Sequence, residues 1–255
     1  MSRSGVLADR VAVITGSGQG IGREFAEAFA AAGAAVVVAD LNGENAEKVA
    51  AQLRAGGAQA LGLGVDVSDE TAVTRMAEAA VAEFGRIDAL VNGAAIFSTL
   101  TMKPFEEIGA DEWRTVIDVN VNGVFLCCRA VSATMRAQGS GTIVNISSST
   151  VLGGRPNYLH YVTSKAAVVG MTRSLARELG PAGINVNVIM PGSVETGIPR
   201  DSARPEAVDQ IVGNQALKRR IVSADIAGAA VFLASDAASM ITGQTLVVDG
   251  GMNFL

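Results

Sequence analysis

Histidine is nearly missing from this chain of 255 residues: His160 stands alone. One imidazole cannot build a zinc site that needs several, and it leaves most Ser-His-Asp schemes without a free base. His160 is read as an incidental neighbour of Tyr161, with a place in the pocket wall as the alternative. Cysteine is scarce too. Cys127 and Cys128 are adjacent, a spacing that fits neither a disulfide staple nor a metal-ligand pair, so they read as small apolar residues of a buried helix in a reducing cytoplasm. No metal site is expected. Basic charge is in deficit, with 20 Lys and Arg against 25 Asp and Glu, a net charge of −5 and a pI near 5.0. The basic stripe of a nucleic-acid binder is therefore lacking, and the one clear run, Lys218-Arg219-Arg220, reads as a solvated helix end or loop. No uninterrupted apolar run approaches the roughly 18 residues of a membrane span, and Met1 to Val11 has no signal-peptide core. A cytoplasmic protein without membrane or nucleic-acid partners is the expectation.

What the chain does have is a regular alternation. Its composition is 49% hydrophobic, with a mean hydropathy of +0.34, as in a globular protein. Short apolar runs at Val11 to Thr15, Ala35 to Ala39, Ala60 to Val65, Ala89 to Val91, Thr142 to Ile146, Ile184 to Ile189 and Thr245 to Val248 read as buried strands. Helical stretches separate them: Gly20 to Ala32, Asn42 to Arg54, Ser68 to about Gly85, Asp111 to Gln138, Tyr158 to Leu179 and Asp225 to Ala234. This is the pattern of βαβ units. It predicts an α/β fold, a single Rossmann-like doubly wound domain over residues 1–255, with a mainly parallel sheet of about seven strands. No linker, repeat or low-complexity tract divides it. The polar segment from Gly192 to Val222 reads as a substrate lid.

Two motifs carry chemistry. Tyr161 and Lys165 are four residues apart within a helical stretch, hence on one face, and a neighbouring ammonium favours phenolate over phenol. Tyr161 is expected to titrate below its usual value of about 10 and to act as an acid/base near neutral pH. The second motif is Thr15-Gly16-Ser17-Gly18-Gln19-Gly20-Ile21-Gly22, lying between a strand and a helix, where backbone amides and a helix N-terminus can meet a pyrophosphate. The Gly-x-Gly-x-x-Gly frame fails, because it requires glycine at Ile21 or Arg23. Gly-x-x-x-Gly-x-Gly fits, through Gly16, Gly20 and Gly22. Asp40 follows 18 residues after Gly22, at the end of the second strand. A carboxylate there accepts hydrogen bonds from ribose hydroxyls and repels a 2′-phosphate, which predicts NAD over NADP. Ser17, Leu41 and Asn42 offer no cation, and Arg23 is the only close candidate. The alternative for Asp40 is a turn or cap residue before Asn42.

Taken together, Thr15 to Gly22, Asp66-Val67, Asn92, Asn120, Ser148, Tyr161 with Lys165, Pro191-Gly192 and Asp249-Gly250-Gly251 resemble the classical short-chain dehydrogenase/reductase family over essentially the whole chain. The resemblance implies NAD held by Gly16, Ser17, Gln19, Gly20, Ile21, Gly22, Asp40 and Leu41. It places Asp66 and Val67 at the adenine, Asn92 near the adenosine ribose, and Val194 and Thr196 at the carboxamide. Ser148, 13 residues before Tyr161 and flanked by Ser147 and Ser149, takes the place of the catalytic serine. Tyr161 becomes the acid/base. Lys165 lowers its pKa and holds the nicotinamide ribose, and Asn120 places a water that links Lys165 to solvent. The chain departs from the family's Asn-Asn-Ala-Gly at Asn92-Gly93-Ala94-Ala95, which is expected to affect a structural hydrogen bond across the central strands and not the hydride chemistry. The resemblance also implies a homotetramer packed through Asp111 to Gln138 and Tyr158 to Leu179, and Met252-Asn253-Phe254-Leu255 is a candidate second interface.

Ile96, Phe97, Leu100, Thr150, Leu152, Tyr158 and the lid are the candidate substrate walls. They are mostly apolar, so the expected substrate is a hydrophobic secondary alcohol or its ketone, cyclic or aryl-substituted. The runner-up is a 3-oxoacyl reductase acting on carrier-protein thioesters. Asp40 speaks against it, as does the lack of a basic residue in Gly180-Pro181-Ala182-Gly183. A non-catalytic NAD-binding sensor or scaffold is the third reading, and the intact Asn, Ser, Tyr and Lys set opposes it.

Overall fold

Runs of valine, isoleucine and alanine that bury both faces suit a parallel sheet covered by helices on either side. In the computed structural model, which describes residues 5–198 and 205–255, the apolar runs take those positions. The strands are β1 (Val11–Thr15), β2 (Ala35–Asp40), β3 (Ala60–Gly64), β4 (Ala89–Asn92), β5 (Gly141–Ile146), β6 (Ile184–Pro191) and, after two short strands described below, β9 (Thr245–Val248). They form one seven-stranded parallel sheet in the order β3-β2-β1-β4-β5-β6-β9. Val13 of β1 pairs with Val37 on one side and Leu90 on the other. The winding reverses between β1 and β4, and a crevice at the carboxyl ends of the strands follows from that reversal.

Helices α1 (Gly20–Ala31), α2 (Gly43–Ala55) and α9 (Ser223–Ala234) supply Phe25, Phe29, Val49, Ile226 and Leu233 to the core on one face. On the other face α3 (Glu70–Phe84), α5 (Gly123–Gln138) and α7 (Leu159–Leu179) supply Met76, Val131, Met135 and Val168. Local chemistry sets the helix starts. Asn42 Oδ1 accepts from the Asn45 amide at 3.0 Å, and Asp69 Oδ1 accepts from Thr71 at 2.8 Å, so Asp69 caps α3 in place of Ser68.

The stretch expected as one helix from Asp111 to Gln138 is interrupted. α4 (Ala110–Ile117) runs into a π turn at Asp118–Asn122 before α5 begins. Ala110–Gln138 is long and apolar enough to cross a membrane by length and composition. It nevertheless carries Asp118 and Arg129, and it lays Val124, Val131 and Met135 on the sheet, as a core helix does.

The polar segment from Gly192 to Val222 is more ordered than a loop. It holds β7 (Val194–Glu195), α8 (Pro205–Asn214) and β8 (Ile221–Val222), with α6 (Thr150–Gly153) lying earlier in the chain. β7 and β8 pair in parallel, and residues 199–204 of the expected lid lie outside the described residues. The basic run pins this segment. Arg219 makes two hydrogen bonds to Asp225, each 2.7 Å, and Arg220 reaches Glu195 at 2.7 Å.

Candidate active site

The glycine turn after β1 is shaped by contacts that exclude a side chain. Gly16 sits at φ +67, and a Cβ on Gly22 would lie 2.0 Å from the Gly16 carbonyl oxygen. Only glycine lets α1 start this close to the strand. Gln19 precedes α1 in an extended conformation with no side-chain cap, and the first turn holds no acidic residue. A helix start of this kind offers its amides and dipole to an anion. Gly16, Gln19, Ile21 and Gly22 line a cleft of about 1480 Å³ together with Asp40, Leu41, Asp66 and Val67. Gly20, at φ +57, is covered by Ile198, since a Cβ there would meet its Cδ1 at 2.7 Å. Ser17 departs from expectation. Its hydroxyl donates to the Ile14 carbonyl at 2.6 Å and accepts from the Ala39 amide at 3.1 Å, so it ties β1 to β2 and is not a cleft residue.

Asp40 satisfies both of its readings. Its carboxylate accepts from the Gly18 amide at 2.8 Å and the Asn42 amide at 2.9 Å, and it also lines the cleft. Two backbone donors leave lone pairs to spare. Gly18, outside the three-glycine frame, turns out to matter here, because a Cβ would come 2.8 Å from the Asp40 Cγ. Arg23 pairs with Glu27 along α1 at 2.7 Å and is not a lining residue. Asp66 is fixed by accepting from the Ser68 amide at 2.9 Å and hydroxyl at 2.6 Å.

Asn92 points away from the cleft. Its Nδ2 donates across β4 and β5 to Asn145 Oδ1 at 2.8 Å, and Asn145 Nδ2 continues to Thr172 Oγ1 at 2.9 Å. The expectation beside the adenosine ribose is corrected for this side chain. A side-chain bond across the central strands is thus made by Asn92, while Gly93, at the position of the family's second asparagine, has no side chain to make one. Gly93 itself lines the cleft, where a Cβ would come 2.7 Å from the Thr15 carbonyl oxygen. Near Asn92, burial pushes the Cys128 thiol up to about 12 and raises Cys127 as well, so both stay protonated as apolar filler in α5.

Asn120 lies in the π turn, fully buried. Oδ1 accepts from the Ile96 amide at 2.8 Å, while Nδ2 donates to the Ile96 carbonyl at 3.2 Å and to Ser164 Oγ at 3.1 Å. The side chain clamps the loop after β4 onto α7 and does not line the cleft. π turns of this kind recur at functional positions because they displace one carbonyl from the helical ladder.

The three serines after β5 separate by partner. Ser147 donates to the Lys165 carbonyl at 2.7 Å, and the Ser149 amide donates to the Pro191 carbonyl at 2.9 Å. Ser148 Oγ accepts from Thr150 Oγ1 at 2.9 Å, which leaves its own proton to donate into the cleft. Lys165 is buried in α7 with Nζ donating to the Ile146 carbonyl at 2.9 Å and lying 5.8 Å from the Tyr161 ring centroid. Burial lowers its pKa to about 8, so it is still an ammonium at neutral pH. Tyr161 lines the same cleft and packs on Phe97 with ring centroids 4.7 Å apart.

His160 faces the other way, fully buried, with Nε2 3.4 Å from Glu112 Oε1. It is absent from the cleft wall, which settles its alternative. Ile96, Phe97, Thr150, Val194 and Thr196 line the cleft, Leu100 and Tyr158 pack with Tyr161, and Leu152 packs on the core. Ile198 and Ile211, within the expected lid, line the cleft, whereas sequence reasoning missed Arg155, Met252 and Asn253 as lining residues. The last two had a signal. The Asp249 carboxylate accepts from the Gly251, Met252 and Asn253 amides, each at 3.0 Å, and so folds the Asp-Gly-Gly segment over the cleft.

Comparison with known proteins agrees with this arrangement. The family model described as enoyl-(acyl carrier protein) reductase matches residues 16–253. D-threitol dehydrogenase of Mycolicibacterium smegmatis is 40% identical over 248 residues, covering 96% of this chain and 93% of its own. Cis-4-hydroxycyclohexanecarboxylate dehydrogenase of Sinomonas cyclohexanicum is 41% identical over 249 residues, covering 96% and 97%. The structure of a 7 alpha-hydroxysteroid dehydrogenase complexed with NADH and 7-oxo glycochenodeoxycholic acid superposes with a TM-score of 0.91 at 36% identity, covering 96% and 94%. The chain is an oxidoreductase with a site for a nicotinamide cofactor, and it belongs to the classical short-chain dehydrogenase/reductase family.

Proposed function

We propose that the chain is an NAD-dependent dehydrogenase interconverting a hydrophobic secondary alcohol, cyclic or aryl-substituted, and its ketone. The observation that carries this reading is the shared cleft: Ser148, Tyr161 and Lys165 line one end of it, and the glycine turn and Asp40 line the other. A bound nicotinamide supplies the hydride acceptor or donor. Gly16, Gln19, Ile21 and Gly22 would hold its pyrophosphate, Asp66 and Val67 its adenine, and Val194 and Thr196 its carboxamide. NAD is favoured over NADP because Asp40 brings negative charge to the rim, while Arg23 is engaged with Glu27.

In alcohol oxidation Tyr161, as phenolate, takes the hydroxyl proton. The Lys165 ammonium stabilises that phenolate, and in reduction the proton returns by the same route. Ser148 donates to the oxygen on which charge develops, a contribution of about 3 to 4 kcal/mol for donors of this kind. Asn120 positions the loop carrying Ile96 and Phe97 through its bonds to Ile96 and Ser164. Those apolar walls keep water from the transferring proton. A homotetramer in a reducing cytoplasm completes the proposal, with the two buried free thiols in keeping with that compartment.

The test is a panel of cyclic and benzylic secondary alcohols, a hydroxyacyl thioester and D-threitol, each with NAD and NADP. Apolar secondary alcohols are expected to turn over with NAD. Tyr161→Phe is expected to lower kcat by about 10²- to 10⁴-fold while NAD still binds. Preference for NADP, preference for the thioester or the polyol, or activity retained without the phenol would each overturn the corresponding part.

A further inference from the structure

Charge on the cleft wall is segregated. Asp40, Glu44 and Asp66 lie at the glycine-turn end, and the cations among the described lining residues are Lys165 and Arg155. Lys165 is buried and donates to the Ile146 carbonyl. Arg155 is placed differently. It follows Gly154, which sits at φ +68, in the loop between α6 and α7, and its guanidinium lies 4.8 Å from the centroid of the Tyr158 ring. Tyr158 is only 2% exposed and packs on Phe97 and Tyr161, at centroid distances of 5.9 and 6.3 Å. The arginine thus rests on a rigid aromatic plate that also backs the acid/base.

Stacking uses the face of a guanidinium and leaves its N–H donors pointing outward in the plane. Arg155 has no ion pair and no hydrogen bond from its guanidinium among the described residues; Arg75, Arg173 and Arg177 share that freedom, but of these four only Arg155 lines the cleft. A preorganised, unpaired fork on the wall of a cleft selects a planar two-oxygen anion. One guanidinium balances one negative charge, the charge of a carboxylate. The same cleft wall carries apolar Phe97 and Ile96, which suits a hydrocarbon body.

We propose that Arg155 determines specificity by holding a carboxylate of the substrate, so that the preferred alcohol is a hydrophobic hydroxy acid whose acid group lies away from the reacting carbon. This rests on the dehydrogenase reading above and names the substrate class within it.

The experiment compares kcat/KM for a hydroxycycloalkane carboxylic acid with that for its methyl ester, in the wild type and in two variants. The wild type is expected to favour the acid by about 10- to 100-fold, chiefly through KM, the range for a charge-assisted pair. Arg155→Gln is expected to bring the ratio close to one. Arg155→Lys restores part of it, because an ammonium keeps the charge and loses the fork. Rising ionic strength lowers the wild-type ratio. A ratio unmoved by Arg155→Gln in a protein with wild-type Tm, or a wild type that prefers the ester, overturns the assignment. Turnover of neutral alcohols without acid-over-ester preference sinks the role of Arg155 alone. A wild type that oxidises no alcohol with either nucleotide sinks the dehydrogenase reading and this assignment together.

Discussion

At the glycine-turn end of the cleft, backbone does most of the recognition: Gly16, Gly18 and Gly22 bring amides close, and one carboxylate, Asp40, is itself held by two amides. At the serine-tyrosine end, side chains do it, drawn from the loops after β4, β5 and β6, from α7 and from the carboxyl-terminal segment. The first end arises from three stretches that each follow a neighbouring strand: the glycine turn after β1, Asp40 and the residues after it at the end of β2, and Asp66-Val67 after β3. The second needs five separated stretches to converge. Backbone recognition of a pyrophosphate tolerates no side chain, so it leaves a fixed glycine pattern, whereas a substrate wall can be made from many combinations of apolar residues. One end is therefore suited to a constant ligand and the other to a variable one.

The sharpest way to break that contrast is at Ser148. Ser148→Ala removes the donor proposed for the reacting oxygen, and kcat is expected to fall by about 10²- to 10³-fold with the affinity for NAD unchanged. Steady-state kinetics beside a nucleotide titration checks this. An equal loss in nucleotide affinity would show that the two ends are not separable.

Next in size is a pH effect centred on Lys165. Its pKa is about 8 when folded and 10.5 in the unfolded reference, so below pH 8 both states carry the proton and burial of the ammonium opposes folding in full. Between pH 8 and 10.5 the unfolded chain binds a proton the folded chain has released, and stability rises with pH across that window, by an amount on the order of 3 kcal/mol. Lys165→Met should flatten the rise. Denaturant unfolding of the two proteins at several pH values checks it through their difference, and a difference independent of pH from 7 to 10.5 would refute it.

Asp40 sharpens the other end. Asp40→Asn keeps an acceptor for the Gly18 or Asn42 amide and removes the charge. The ratio of kcat/KM for NAD over NADP is expected to drop by about 10-fold, from loss of repulsion toward a 2′-phosphate. A ratio that does not move would mean that another feature of the rim excludes the phosphate.

The same contrast explains what could be read without coordinates. All seven strands of the sheet were legible: the five central strands are buried on both faces and must be apolar runs, the half-buried edge strands β3 and β9 keep the same apolar character, and Asn42 marked the start of its helix through a capping bond. The π turn at Asp118–Asn122 was not, because an i→i+5 ladder leaves no signature in residue type. Asp40 could be placed by spacing. Ser17, Asn92 and Asn120 could not be oriented that way: each is a polar residue beside the cleft whose side chain satisfies a buried neighbour, and which way it turns depends on strands and helices far off in sequence. Arg155, Met252 and Asn253 were overlooked because their loops reach the cleft only through tertiary packing, in the carboxyl-terminal case through the Asp249 carboxylate.

Ser147 provides the smallest and most discriminating test, because it adjoins Ser148 and differs from it only in what its hydroxyl meets. Its Oγ donates to the Lys165 carbonyl at 2.7 Å, and Lys165 Nζ in turn donates to the Ile146 carbonyl at 2.9 Å, so β5 and α7 are joined by two reciprocal bonds around the ammonium. Removing one neutral buried bond costs about 1 kcal/mol, with a further penalty if the carbonyl finds no other donor. Ser147→Ala is therefore expected to lower stability by about 1 to 2 kcal/mol, seen as a reduced Tm, while kcat changes by no more than a few-fold through slight displacement of Lys165. If the alanine variant instead lost activity as deeply as Ser148→Ala with its Tm intact, the oxygen-stabilising role would belong to Ser147, and the division between a structural and a reactive serine would fall.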